Sequence, residues 1–488
     1  MERSFPLGEV GLRARAGREA GITPKLTLGA RGKPDLSAES ELPESELKPE
    51  PLKQDSRGHG FVREGESLAV EEADAATPAF VDPEEAHLPQ IVRALRNPNF
   101  RLFWSGNFLS NIGTWMQNVA QGWLVLSLTG SAFWLGVVGF AGSIPFLVFT
   151  LFGGVVADRV NKRRLLLVTQ SVMMLLAFAL AALAWLKIIT VWELVAIAFL
   201  NGMAMAMNAP SYQALVPRLV KREDLTNAIA LNSAQFNMSR ILGPTLGGYA
   251  MALVGVAGNF FLNGVSFLAV LWALTRIQYP ENEPSHYPGL LSSLRQGFGY
   301  VRANPQMRVL VWMTAAASFF GIPFMTFIPY FARMELHVGE TGLGWLMAAS
   351  GTGAVLGAVT VAALGTLRHR GTVVTVGGVA FFSAIIAFCY SHSFHLSQAL
   401  LLVEGYSAIL MISSFNVAIQ HLASDQMRGR VMSIYATCFL GLPPLGSLLI
   451  GELSRHIPTP HALAAMAATA AALFAGTYVV SKPLRELD

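Results

Sequence analysis

Residues 97–101 read Asn97-Pro98-Asn99-Phe100-Arg101, and 207 positions later residues 304–308 read Asn304-Pro305-Gln306-Met307-Arg308. Each copy heads a long apolar run, Phe100 to Leu126 in the first case and Val309 to Tyr330 in the second. At the same offset Arg163 falls on Arg370 and Gln213 on Gln420, again in polar gaps between apolar runs. One offset shared by separated landmarks argues for an internal duplication, and each copy of the unit holds six apolar runs. Two parallel six-span repeats, related by an axis along the membrane normal, are a known transporter plan with the substrate site between the repeats near the midplane.

Composition points to the same solvent. The 488-residue chain is 53% hydrophobic and 14% charged, against about 25% charged in soluble domains. A bilayer span takes about 20 mostly apolar residues, and such runs recur from Phe100 to Val480. The expected fold is therefore an all-α membrane protein with twelve transmembrane helices in two six-helix, pseudo-symmetric halves. These are residues 97–275 and 309–488, joined by a linker at 276–308. Within the linker Leu291, Leu294, Phe298 and Val301 recur at helical spacing, as in a helix lying on the membrane surface. Residues 1–96 hold 13 Lys/Arg against 18 Asp/Glu, are rich in Glu, Pro, Gly and Ser, and read as a disordered extension.

Basic residues set the orientation. On alternate sides of the twelve runs, 20 Lys/Arg fall on the side of Arg93, Arg101, Arg163 and Arg428, while the other side has Lys187, Arg333 and Arg455. By the positive-inside rule both termini are cytoplasmic and the chain is an integral protein of the cytoplasmic (inner) membrane. The loop charges are explained by orientation on lipid, so no nucleic-acid partner is expected; the partners are the bilayer and a small-molecule substrate, and the chain is expected to act as a monomer.

Charge and polarity inside the runs mark candidate site residues. Asn107, Asn111, Thr114, Asn118 and Gln121 advance by four, three, four and three, which places them on one helical face. Asn232 and Gln235 share a face of the fifth run. Such faces either line an aqueous pathway or bond to neighbouring helices. Arg240 and Glu404 are ionisable residues at membrane depth, where an unpaired charge costs at least about 2.5 to 3.5 kcal/mol. They are expected near each other, as a proton-coupling pair with Glu404 the protonatable member or as a fixed ion pair.

Between the second and third runs stands Gly154-Val155-Val156-Ala157-Asp158-Arg159-Val160-Asn161-Lys162-Arg163-Arg164. It resembles the cytoplasmic loop signature of the major facilitator superfamily, with Asn161 where a Gly is usual. The resemblance implies a cytoplasmic gate formed by Gly154, Asp158, Arg159, Lys162 and Arg163, with Asp158 latching onto the start of the eleventh run near Arg428 to Val431. Gly243-Pro244-Thr245-Leu246-Gly247-Gly248 resembles the core of the superfamily's antiporter motif, carried by Gly243, Pro244, Gly247 and Gly248; close helix packing explains the same residues. The chain from Asn97 onward is similar to the transmembrane secretion effector branch, which includes enterobactin exporters. Characteristic pieces are Gly113-Thr114-Trp115-Met116-Gln117, Asn227 to Ser233 and Arg428-Gly429-Arg430-Val431-Met432-Ser433.

No Gly-x-x-x-x-Gly-Lys-Ser/Thr phosphate loop occurs, no catalytic set emerges, and Cys389 and Cys438 lack metal-ligand spacing. No enzyme activity, metal or cofactor is expected beyond an ion gradient, taken to be of protons. The first functional reading is secondary active export of a small organic molecule such as a siderophore, drug or metabolite. Proton-symport import is the alternative, and a non-transporting sensor or lipid-handling protein is a third class.

Overall fold

The structure, a computed structural model, describes residues 90–159, 161–278, 290–364 and 370–486. Every regular element among them is helical. The duplicated Asn-Pro landmark has a local cause. Asn97 and Asn304 each cap a helix, with Pro98 and Pro305 in the first turn. The Asn97 side chain accepts from the Asn99 and Phe100 amides and that of Asn304 from the Met307 amide at 3.1 Å. Proline suits that position because the amide it lacks would have no partner in the helix. The first helix, α1 (Pro98–Thr129), ends at Gly130 in the left-handed conformation, a common helix stop.

The described helical structure includes residues on the N-terminal side of the expected boundary at 97. Gln90–Arg96 is a short 3₁₀ turn that Arg93 ties to Glu223 and Asp224. The rest of the proposed extension, with Leu291 and Leu294 of the linker, lies outside the described side chains.

Four N-terminal helices follow α1: α2 (Ala132–Arg159), α3 (Lys162–Trp185), α4 (Val191–Leu215) and α5 (Leu225–Arg276). A straight α5 of 52 residues would reach about 78 Å, more than twice a hydrocarbon core. It breaks at Gly255, with φ 71° and ψ 177°, a region open essentially to glycine. Asn259 then donates to the Gly247 carbonyl at 2.9 Å, although twelve residues of straight helix would put them about 18 Å apart. The chain therefore doubles back, and α5 contains both the fifth and sixth expected runs.

The linker helix α6 (Leu290–Ala303) leads to α7 (Pro305–Phe320), α8 (Phe324–Tyr330) and a π-helical turn at Phe331–Glu335. After them come α9 (Glu340–Leu364), α10 (Arg370–Cys389), α11 (Phe394–Leu422), α12 (Asp425–Gly441), α13 (Pro443–Leu453), α14 (Thr459–Val480) and α15 (Lys482–Arg485). The seventh and eleventh runs, expected as single helices, are each interrupted at proline, before α8 at Pro323 and before α13 at Pro443. A proline there supplies no amide to continue the ladder. On α6, Val301 is buried and Phe298 is 64% exposed, so the linker helix buries only part of its apolar stripe.

Nine helical stretches among the described residues are long and apolar enough to cross a membrane, two of them, Pro305–Glu335 and Asp425–Leu453, taken across the proline breaks. The polar face of α1 keeps it out of that group. Large apolar side chains on the outer surface, such as Leu253, Trp272 and Val359, need hydrocarbon around them. Helices meet where side chains are smallest: a Cβ on Gly405 would lie 1.9 Å from the Ser350 carbonyl oxygen, and one on Gly353 1.9 Å from that of Leu402. Such contacts bring α9 and α11 nearly backbone to backbone.

Candidate functional site

A cavity of about 420 Å³ opens among α1, α2, α3, α4, α5, α8 and α9, within the usual range for a small-molecule site. Thr114, Asn118 and Gln121 of α1 form one wall, as their shared face predicts, and Asn118 is exposed into it. The break before α8 swings Met325 and Thr326 of the C-terminal helices against the same space.

The rest of that polar face goes elsewhere. Asn107 is buried and donates to the Tyr212 hydroxyl at 3.1 Å, which donates to Asn232 at 3.0 Å. Asn107 and Asn232 thus cross-link α1, α4 and α5 and do not line the cavity. Asn111 is also absent from its wall. Gln235 is 1% exposed, and neither amide atom has a partner. Ser239, one turn on, is buried and unpartnered as well. Neither Tyr212 nor Asn201, which lines the cavity from α4, stands in a pattern that sequence periodicity singles out. Tyr212→Phe removes both bonds and should lower thermal stability by about 1.2 kcal/mol, at about 0.6 kcal/mol for each interhelical hydrogen bond, while transport stays near wild type. Thermal unfolding beside a transport assay checks both.

Arg240 and Glu404 lie close enough to interact electrostatically, but no direct ion pair joins them among the described residues. They meet across α9. Glu404, 2% exposed, accepts from Ser350 Oγ at 2.7 Å, while the Arg240 carbonyl packs on Gly351. Arg240 Nη2 points at Met325 Sδ, 3.6 Å away, and its Nε has no partner. Met325 also lines the cavity, so a single side chain separates the buried cation from that space.

Beyond Gln121 the cavity is roofed where N- and C-terminal helices interlock. A Cβ on Gly248 of α5 would lie 2.6 Å from the Glu340 carbonyl oxygen, and one on Gly344 2.7 Å from that of Pro244. Gly136 of α2 and Gly451 of α13 make the matching contact. Two cations close the same end: Arg333 sits 5.3 Å from the centroid of the Trp123 ring and hydrogen-bonds Ser127, and Arg455 sits 5.1 Å from that of Phe133. A cation over an aromatic face is worth about 0.5 to 2 kcal/mol, depending on exposure.

At the opposite end Asn161, where a glycine was usual, caps α3 by accepting from the Arg164 amide at 3.0 Å. Arg163 donates to the carbonyls of Leu274 and Thr275 at 2.5 and 2.6 Å, placing a cation on the negative end of α5. Lys162 begins α3. Gly154, Asp158 and Arg159 are in the last turns of α2, and their side chains lie outside the described set, as does any contact of Asp158 with the start of α12. Arg428 there pairs with Asp425 at 2.8 Å. Of the antiporter-like residues, Gly243 packs on Trp115 and Gly247 on Met116 of α1, and Pro244 and Gly248 face α9.

Residues 91–488 match the family described as transmembrane secretion effector. The chain belongs to the transmembrane secretion effector family. Similar proteins include the staphyloferrin A transporter of Staphylococcus aureus, 25% identical over 372 residues, with 72% of this chain and 88% of that protein covered. The multidrug efflux pump Tap of Mycolicibacterium fortuitum is 26% identical over 392 residues, covering 77% and 94%. The enterobactin exporter EntS of Shigella flexneri is 25% identical over 372 residues, covering 75% and 88%. Among solved structures, the nucleoside transporter NupG aligns with TM-score 0.62 at 13% identity, over 78% of this chain and 98% of its own. A bacterial homologue of the human lysosomal transporter Spinster, inward-facing and occupied, aligns with TM-score 0.59 at 15% identity, covering 80% and 97%. The chain is thus an all-α membrane transporter with the major facilitator fold, and not an enzyme.

Proposed function

We propose that the chain is a proton-coupled exporter that moves a small organic molecule across the cytoplasmic membrane by alternating access. The observation that carries this reading is the roofed cavity. Polar residues of α1 face α8 and α9 across it, and every helix contact sealing the roof joins an N-terminal to a C-terminal helix. A space bounded by two sets of helices opens when the sets rock apart. In this reading residues 97–275 and 309–488 are six-span halves joined by 276–308, giving twelve crossings. Both termini and the Arg163 end are cytoplasmic, the roof faces outward, and the unit is a monomer. Arg240 and Glu404 couple transport to protons, and Asp158 belongs to the cytoplasmic gate. The names of the siderophore and multidrug relatives support export over import.

The test is a strain stripped of its own pumps and overproducing the chain, challenged with a panel of toxic organic compounds. The tolerated concentration of at least one compound should rise several-fold, with its accumulation lowered. Asp158→Asn should remove the effect at equal expression. Raised accumulation would instead indicate import, and unchanged tolerance and accumulation throughout would contradict transport of such molecules.

A further inference from the structure

The cavity wall carries a chemical preference. Among the described residues that line it there is no Asp, Glu, Lys, Arg or His. Its hydrogen-bonding groups are neutral: Asn118, Gln121 and Asn201 can each both donate and accept, while the Thr114 hydroxyl donates to the Ser110 carbonyl at 2.9 Å and can still accept. Gln117 and Asn263 also reach it, but they are bonded to each other at 2.7 Å. Between the polar groups stand four thioethers, Met173, Met205, Met325 and Met347, and the Trp115 ring. Methionine is polarizable and flexible, and adapts to apolar bodies of varied outline.

Net charge on a guest would find no counter-ion here. Removing an ion from water costs several kcal/mol unless an opposite charge and hydrogen bonds replace the lost hydration. Arg240, a cation behind the wall, is screened by Met325 and has Glu404 as its electrostatic neighbour. A neutral molecule meets no such barrier: its amides and hydroxyls exchange water for Asn and Gln, and its apolar body lies on thioether and indole.

We infer that the cavity selects an uncharged molecule with an apolar body and a few hydrogen-bonding groups, and rejects anionic iron chelators and organic cations. This rests on the cavity being the substrate site, but it is tested by binding, apart from transport.

Asn118→Cys places a thiol in the wall, with Cys389→Ser and Cys438→Ser removing the native thiols. Maleimide labelling of the purified protein in nanodiscs is followed with three probes: chloramphenicol (neutral), 2,3-dihydroxybenzoate (anionic) and ethidium (cationic). Chloramphenicol should slow labelling at least about fivefold, roughly 1 kcal/mol of occupancy, and the charged probes should leave it unchanged. Adding Asn201→Asp, which puts a carboxylate in the wall, should transfer protection to ethidium. Protection by either charged probe equal to that by chloramphenicol overturns the inference, and so does protection by none of the three. Chloramphenicol protection in a protein that exports nothing would leave the inference standing and sink the transport reading.

Discussion

Glu404→Gln in proteoliposomes should cut transport driven by a proton gradient by more than about tenfold, a change of 1.4 kcal/mol or more, while substrate exchange at equal pH stays near wild type. The glutamine keeps the side chain's shape and can still accept from Ser350 Oγ, which lies 2.7 Å from the native carboxylate. It removes the ability to take up and release a proton, and with it the charge of the ionised form. Arg240 reads that change, because it is the electrostatic neighbour of Glu404 and its Nη2 rests on Met325 at the cavity wall. Movement of Arg240 toward an ionised Glu404 would draw its guanidinium away from Met325 and alter the wall that a guest touches. A fixed ion pair gives a different result. Glu404→Gln would then leave Arg240 uncompensated at membrane depth, at a cost of at least about 2.5 to 3.5 kcal/mol, and folded yield would fall. In that case Arg240→Gln combined with Glu404→Gln would restore the yield; under proton coupling the double variant folds but does not couple.

Gly248→Leu should nearly abolish net transport by wedging the roof. Even a Cβ at Gly248 would lie 2.6 Å from the Glu340 carbonyl oxygen and 3.2 Å from the Gly344 Cα. These neighbours are backbone and cannot rotate away, so α5 and α9 must part. Overpacking of this kind costs roughly 1 to 3 kcal/mol, comparable with the roof's cation–aromatic contacts at about 0.5 to 2 kcal/mol each. The closed-roof form should therefore lose its dominance. The variant should remain folded, because α5 still packs on α1 through Gly243 and Gly247. Spin labels on Ser131 and Glu335, at the roof end of the two sets of helices, should move apart relative to the wild type. An unchanged distance together with wild-type transport would contradict the roof.

The fold was legible because the signals that specify it are local. Asn97-Pro98 and Asn304-Pro305, each followed by an apolar run, pair an N-cap with a first-turn proline, and apolar length with loop charge marks the remaining runs. What the sequence concealed were breaks inside runs, at Pro323 and Pro443, where proline at a helix start and proline within a bent span look alike. The candidate site was half legible. The face from Asn107 to Gln121 extends about 21 Å along α1, and its neighbours change over that distance. Near the basic end Tyr212 takes up Asn107; further along, Thr114, Asn118 and Gln121 meet open space. Periodicity identifies the face but carries no information about what stands opposite. No pattern in the sequence marks Met173, Met205 or Met347, and Arg333 and Arg455 enter it only as loop charges, because aromatic partners over 200 residues away in sequence become visible only in three dimensions.

Asn118→Cys in a chain without other cysteines, labelled with a membrane-impermeant maleimide from each face of oriented vesicles, tests alternating access most directly. The account predicts reaction from both faces with opposite responses: a proton gradient or substrate that raises labelling from one side lowers it from the other. Labelling confined to one face under every gradient, or rising and falling together from both, would contradict it.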